Sequence, residues 1–220
     1  MLVAQGLSYE RNKRMLFKHL AFQLYSGQIL HIMGANGTGK TTLLQILAGL
    51  LVPLSGNVSW NGVSIDKNVV HFTENLLYIN HRLGMKAALT PAENLYLFLA
   101  RRDLIKTKSK QKALENIKQV LEKLDLNLHA HVLTAQLSVG QQRRLVLAKL
   151  LLIKADCWIL DEPFTALDKK GVALIASLIE EQRYRGGMVI FTSHQSDYSL
   201  QTEVKKIFLD ACCVSPSVIL

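Results

Sequence analysis

The residues with the plainest chemical potential are Gly34, Ala35, Asn36, Gly37, Thr38, Gly39, Lys40, Thr41 and Thr42, which fit the pattern G-x-x-x-x-G-K-[ST]. An apolar run over residues 29–33 precedes them and a helical pattern over 42–47 follows, so strand, loop and helix stand in the order the pattern requires. The glycines let backbone N–H groups close around phosphate oxygens, and the start of the helix adds its positive end to the same anion site. Lys40 is the residue to reach β- and γ-phosphates, and Thr41 the one to place a hydroxyl on Mg²⁺. The stretch predicts a nucleoside triphosphate site. A second set of chemical residues ends the apolar run Cys157-Trp158-Ile159-Leu160, where Asp161 and Glu162 follow at the end at which a parallel sheet keeps its ligand chemistry. Asp161 is of the type to hold Mg²⁺ through water, and Glu162 of the type to orient and deprotonate an attacking water. Read alone, such a pair is also a common helix cap; the upstream phosphate loop favours the catalytic reading.

These residues must be positioned by a fold whose elements are partly visible. Residues 2–24 show short apolar runs separated by the polar stretch 10–14, which reads as a small antiparallel sheet with a turn. Residues 57–62 read as another edge piece of sheet, and 76–79 as a core strand. From residue 83 to about 154 the texture is helical. Pro91 suits a first helical turn, and residues 109–124 carry Ala113, Leu114, Ile117, Val120, Leu121 and Leu124 on one face. Leu137-Ser138-Val139-Gly140-Gln141-Gln142 reads as a Ser-capped approach to a long amphipathic helix beginning around Arg143. Strands return at 157–160, 188–192 and 206–209, with a helix over about 170–185 between the first two. The expectation is a single domain over 1–220: an α/β P-loop NTPase core with a small antiparallel β subdomain, into which a helical subdomain of about 83–154 is inserted.

With 220 residues and 49% hydrophobic content, the chain can bury a sizeable core without disulfide staples. Its net charge of +9 is spread out except around Lys106, Lys108, Lys110 and Lys112, a run that fits either a solvated helix start or a nucleic-acid patch. An anionic lipid surface is a third candidate partner. Cys157, Cys212 and Cys213 form neither a disulfide framework nor a spaced metal site, as suits a reducing compartment, and no secretory signal opens the sequence. The apolar region 145–160 is broken by Lys149, Lys154 and Asp156 within too short a length for a membrane span, so any membrane role would come through a partner.

The order of the motifs narrows the choice. Phosphate loop, helical stretch, Ser138-Val139-Gly140-Gln141, the Asp161-Glu162 strand, Ala166-Leu167-Asp168 and Thr192-Ser193-His194 together resemble the ATP-binding subunits of ABC transporters, over nearly the whole sequence. The resemblance implies that Ser138, Gly140 and Gln141 bind the γ-phosphate held by another subunit's phosphate loop. It further implies that Asp168 lies at the dimer seam and that His194 contacts the γ-phosphate as the switch histidine. A helix start with a free serine hydroxyl would be an anion site that the same chain's phosphate loop does not use.

Two positions depart from the family. His81 stands where the family has a glutamine near Mg²⁺ and the membrane-subunit contact, so the resemblance makes it a metal candidate with Thr41 and Asp161, and metal-linked sensing there differs. The aromatic that stacks on adenine has its slot on Arg11, with Tyr9 two residues earlier, and either can stack on a base. Residues 77–81, 89–95, 137–144 and 158–168 resemble the cytochrome c biogenesis branch of the family, including its histidine for glutamine. That resemblance implies ATP and Mg²⁺ as cofactors, and pairing with a second ATP-binding subunit as a homodimer. It implies integral-membrane partner subunits docked near residues 81–93, and a peripheral place on the cytoplasmic face of the bacterial inner membrane. It implies no direct nucleic acid, and contact with exported haem only indirectly. Two rival readings stand beside it: a generic ABC importer or exporter subunit sharing every catalytic residue, and a soluble ABC-type ATPase acting on nucleic acid or ribosomes. The second is encouraged only by the basic charge, and the sequence shows neither a second ATPase unit nor a long coiled coil. The apolar stretch 211–220 carries no functional assignment.

Overall fold

The computed structural model describes residues 1–82, 84–102, 110–193 and 200–210, and the backbone of 218–219. In chain order its strands are β1 (Leu2–Arg11), β2 (Arg14–Leu24), β3 (Ile29–Met33), β4 (Ser55–Trp60), β5 (Val63–Ser64), β6 (Leu76–Ile79), β7 (Cys157–Leu160), β8 (Met188–Thr192), β9 (Lys205–Phe208) and β10 (Val218–Ile219). Its α-helices are α1 (Lys40–Leu47), α2 (Val69–Glu74), α3 (Pro91–Arg101), α4 (Lys110–Lys123), α5 (Val139–Leu147), α6 (Lys149–Leu152) and α7 (Lys169–Tyr184). The chain divides into two compact units, one of Met1–His81, Ala155–Thr165 and Ala173–Leu220, the other of Arg82–Lys154 and Ala166–Val172.

In the first unit β1 and β2 form an antiparallel hairpin. Its turn residues Asn12 and Lys13 both have positive φ, 52° and 61°, the conformation a two-residue turn needs to follow strand twist. The four-stranded sheet runs β2-β1-β4-β5, so within the stretch 57–62, expected at an edge, Ser59 and Trp60 have a strand partner on each side. The larger sheet runs β10-β9-β3-β8-β7-β6, parallel throughout except for β10 against β9. β7 and β8 are buried along their full length and β3 nearly so, the continuous apolar texture of parallel strands covered on both faces. β6, read from sequence as a core strand, lies at the edge of the described sheet, although Leu76, Leu77 and Ile79 are buried. One core cluster joins Leu7, Phe17 and Leu20 of the antiparallel sheet, Leu43, Leu44 and Leu47 of α1, and Ile32, Ile159 and Ile190 of the parallel sheet. α1 is thus packed on most sides, which holds the start of the helix firmly. α2 was not expected from the sequence: only Phe72 of it is buried, and Val69 and Val70 face solvent, so its apolar residues show no helical period.

In the second unit α3 opens with a capping box. The Glu93 N–H donates to Thr90 Oγ1, and Glu93 Oε2 accepts from the Thr90 N–H at 2.8 Å, a device that stabilises a helix start by about 1 kcal/mol. Buried Asn94 ties the preceding loop down. Its side chain accepts from the Lys86 N–H at 2.8 Å, and its amide nitrogen lies 3.0 Å from both the Lys86 carbonyl and Thr134 Oγ1. α4 buries Ala113, Ile117, Val120 and Leu121, but Leu114, expected on that face, is exposed. The helix expected from Arg143 starts four residues earlier, at Val139, and gives way after Leu147 to the short α6, so it is neither late nor long. Among the described residues, no helix is long and apolar enough to cross a membrane.

Candidate functional site

The phosphate loop springs from the end of β3. Gly34 has φ +146°, and a Cβ there would stand 2.4 Å from the Leu209 carbonyl oxygen, so only glycine lets the chain leave β3 beside β9. Gly39, φ +102°, precedes α1 without capping it through a side chain, which leaves the first N–H groups of that buried helix for an anion. A Cβ at Gly39 would lie 3.1 Å from Leu16 Cβ, which places β2 against the loop. Ala35, Asn36 and Gly37 are exposed, Thr38, Lys40 and Thr42 are buried, and Thr41 is intermediate. Lys40 Nζ donates to the Gly34 carbonyl at 2.8 Å and to that of Ala35 at 3.1 Å, and Thr38 Oγ1 donates to Ala35 O at 2.9 Å, so the loop curls around its own cation. Burial lowers the Lys40 pKa, and the carboxylates of Glu162 and then Asp161 oppose that shift.

Asp161, 1% exposed, is the centre of the polar network. Its Oδ2 accepts from Thr41 Oγ1 at 2.8 Å and lies 3.2 Å from His81 Nδ1, while its Oδ1 accepts from Thr192 Oγ1 at 2.8 Å. Thr192 also receives the Glu162 N–H at 2.9 Å, so one hydroxyl orients both members of the acidic pair. Glu162 has φ +53°, an uncommon conformation for a non-glycine residue that stores about 1–3 kcal/mol and is favoured where a functional side chain must be aimed. Its Oε2 accepts from Thr165 Oγ1 at 3.2 Å. The sequence reading gave Thr192 no role. Its signal is a matter of register: Leu160 pairs with Phe191, so the next residues along, Asp161 and Thr192, stand opposite each other at the ends of β7 and β8. The hydroxyl of Thr41 and the carboxylate of Asp161 are hard oxygen donors in contact, a set that fits Mg²⁺, with the His81 imidazole beside them.

A second residue without an expected role is His31, buried on β3. Its Nε2 lies 3.3 Å from the Ser193 carbonyl and its ring stacks on Phe191 at 4.5 Å; Phe191 in turn meets Phe164 edge-on at 5.8 Å. Burial pushes its pKa down to about 4, so the ring is neutral near pH 7 and donates from Nε2. Strand, phosphate loop and acidic pair are thus braced by one aromatic chain. Tyr9 is half-buried and stacks on Phe17 at 6.4 Å, whereas Arg11 is exposed at the hairpin tip opposite Arg14. Burial also pushes the Cys157 thiol up to about 12, which makes it an inert core residue. Cys212 and Cys213 lie outside the described residues, as does His194.

Ser138, Gly140, Gln141 and Asp168 belong to the second unit. The Ser138 hydroxyl, expected to be free, accepts the Gln141 N–H at 3.3 Å, and Gln141 Oε1 accepts the Ser138 N–H at 2.8 Å, a reciprocal cap at the start of α5. The capping hydroxyl still keeps its own proton to donate. Gln141 Nε2 reaches His129 Nε2 at 3.1 Å, and the Gly140 backbone sits against the Ala166 carbonyl. Asp168 Oδ1 accepts the Gly171 N–H at 2.8 Å and caps α7.

Residues 17–165 match the family described as ABC transporter. The chain is 43% identical over 194 residues to the cytochrome c biogenesis ATP-binding export protein CcmA of Haemophilus influenzae, covering 88% of this chain and 89% of that one. It is 41% identical over 211 residues to the protein of the same name from Hahella chejuensis, covering 96% of each. Among solved structures, a dimeric ATP-binding cassette in a post-hydrolysis state with ADP and Pi superposes with a TM-score of 0.85 over all of this chain and 99% of that one, at 22% identity. That likeness speaks for the fold.

Proposed function

The chain belongs to the ABC transporter family of ATP-binding subunits and is an ATPase, and from that premise we propose that it powers a cytochrome c biogenesis complex that exports haem. The pathway rests on relatives named for cytochrome c biogenesis that match nearly end to end. The observation that carries the chemistry is the placing of Asp161 and Glu162 against the phosphate loop, with Thr192 bonded to the Asp161 carboxylate and to the Glu162 backbone N–H. ATP lies with its phosphates in residues 34–42. Lys40 leaves the carbonyls of Gly34 and Ala35 to offset γ-phosphate charge, and the adenine packs on Tyr9 or Arg11. Thr41, Asp161 and His81 would hold Mg²⁺, which would supply positive charge to offset that of the phosphates. Glu162 orients a water in line with the γ-phosphate and takes its proton.

The subunit works as a pair. Two copies close on ATP so that Ser138, Gly140 and Gln141 of one face the nucleotide of the other, Asp168 lies at the seam, and His194 makes the second γ-phosphate contact. The positive start of α5 and the Ser138 proton support this reading. Integral-membrane subunits dock near residues 81–93 at the cytoplasmic face of the bacterial inner membrane and take up the closing motion; this subunit meets haem only indirectly. Within a single domain over 1–220 the helical subdomain is about 83–154, a reading supported by the grouping of Arg82–Lys154 with Ala166–Val172 in one compact unit. In the test, Glu162→Gln is expected to bind ATP, to lose turnover and to trap the dimer, and cells carrying it should fail to attach haem to cytochrome c. Rapid hydrolysis by this variant removes Glu162 from its role. Lost hydrolysis with normal cytochromes leaves the ATPase and removes the haem pathway.

A further inference from the structure

We propose that His129 is a positioning residue for the partner-facing serine: it holds the Gln141 side chain, which in turn aims Ser138. The proposal rests on the reading that Ser138 meets the nucleotide of a second copy. The direction of each bond along this relay is set by the chemistry of the groups. The Ser138 N–H donates to Gln141 Oε1 at 2.8 Å, so the carboxamide turns its oxygen to the cap and its NH₂ the other way. That NH₂ lies 3.1 Å from His129 Nε2 and can only donate, so Nε2 accepts and the ring carries a proton on Nδ1. Nδ1 is buried without a hydrogen-bond partner, so among the described residues the contact with Gln141 is the ring's one polar bond.

The far end of the relay is anchored. His129 closes the turn Asn127–His129, its N–H donating to the carbonyl of fully buried Leu126 at 3.0 Å, and the Leu126 N–H returns to the Leu121 carbonyl of α4 at 2.8 Å. Arg144 of α5 donates to the Leu124 carbonyl at 3.3 Å, so α5 is tied to the same place from its own side. Ser138 itself is exposed, and a glutamine side chain keeps much rotamer freedom unless something fixes its end. The imidazole fixes it. The Gln141 side chain therefore works inside its own chain, and the Ser138 hydroxyl proton is left for the partner's phosphate.

The test compares His129→Gln, His129→Asn and His129→Leu in the whole chain, with Ser138→Ala beside them. A glutamine oxygen reaches the place of Nε2, an asparagine oxygen only that of Nδ1, and leucine has no acceptor. The readings are binding of a fluorescent ATP analogue to the chain's own phosphate loop, kcat, and the share of ATP-closed dimer in the Glu162→Gln background by light scattering. Analogue binding should be unchanged throughout. His129→Asn and His129→Leu should lower kcat at least about tenfold, within the roughly hundredfold that a 1 Å misplacement costs, and weaken closure with it, whereas His129→Gln should recover most of both. The Gln and Asn variants, which differ by one methylene, decide the matter even where the leucine variant does not fold. Wild-type kcat and closure in His129→Asn overturn the proposal, and so does an equal loss in His129→Gln and His129→Asn, which would make the ring a packing group. If Ser138→Ala keeps wild-type closure and kcat, the reading of a partner-facing serine falls and this proposal with it; if Ser138→Ala lowers both and His129→Asn neither, only the role of His129 falls.

Discussion

Replacing Thr192 by valine keeps the shape of a fully buried side chain and removes its single polar atom. Two hydrogen bonds go with it. The bond to the Asp161 carboxylate contributes about 1.5–3 kcal/mol and the one from the Glu162 N–H about 1 kcal/mol, and a buried N–H left without a partner sets the loss towards the upper end. The expected destabilisation is about 3 kcal/mol, measured by urea unfolding with an unchanged slope. Catalysis should suffer separately, because the Asp161 carboxylate and the Glu162 backbone lose the hydroxyl that places them; a displacement on the order of 1 Å costs about a hundredfold in kcat. Nucleotide binding, carried mainly by residues 34–42, should persist. Thr192→Ser restores the hydroxyl and should recover most of both quantities. A valine variant within about 0.5 kcal/mol of wild type and with unaltered kcat would refute the reasoning, since the network could then not be what positions the acidic pair.

The other expectations concern the brace, the loop and the second unit. His31 has its pKa depressed from 6.5 to about 4, so between those values the unfolded chain takes up a proton that the folded one refuses. Stability is therefore full above pH 6.5 and falls as the pH drops to 4 by about 3 kcal/mol from this group; His31→Phe should remove that share of the slope in paired unfolding curves at pH 7 and 4.5, and equal slopes would exclude it. Gly34→Ala puts a methyl 2.4 Å from the Leu209 carbonyl at φ +146°, so the variant should fail to bind a fluorescent ATP analogue at concentrations that saturate the wild type; normal binding would show that the loop relaxes freely. Asn94→Ala should cost about 3 kcal/mol and strip hydrogen-exchange protection from the Lys86 and Thr134 region, and retained protection there would mean that another group anchors the loop.

The parts legible in the sequence are those whose cause is local. Lys40 with its glycines, the Pro91 helix with its capping box and the buried runs of β3, β7 and β8 each announce themselves within a few residues. The parts that were not legible depend on pairing between distant segments. Thr192 gains its place only when β8 lies beside β7, and His31 only when Ser193 and Phe191 are brought against β3. β6 reads as interior because its side chains are buried, although burial of its faces is compatible with an open edge. The Ser138 hydroxyl looks free in a sequence because only the folded turn shows Gln141 returning to it. The exposure of Leu114 and the irregular face of α2 are likewise decided by what packs there, which no spacing rule contains.

The strand order has a consequence for how the protein is made. β3 ends at Met33, but the strands on either side of it begin at Met188 and Lys205. On the ribosome the antiparallel sheet can assemble once β5 has emerged, while β3 and the phosphate loop wait with neither neighbour for roughly 8–30 s at about 5–20 residues per second. Throughout that interval Ile29, Leu30 and Ile32 are an uncovered apolar strand, and ATP has no formed cradle to bind, so nucleotide cannot assist the early steps. The nascent chain needs a temporary cover for that strand, and the nucleotide acts only as a late seal on a sheet already closed by β8 and β9.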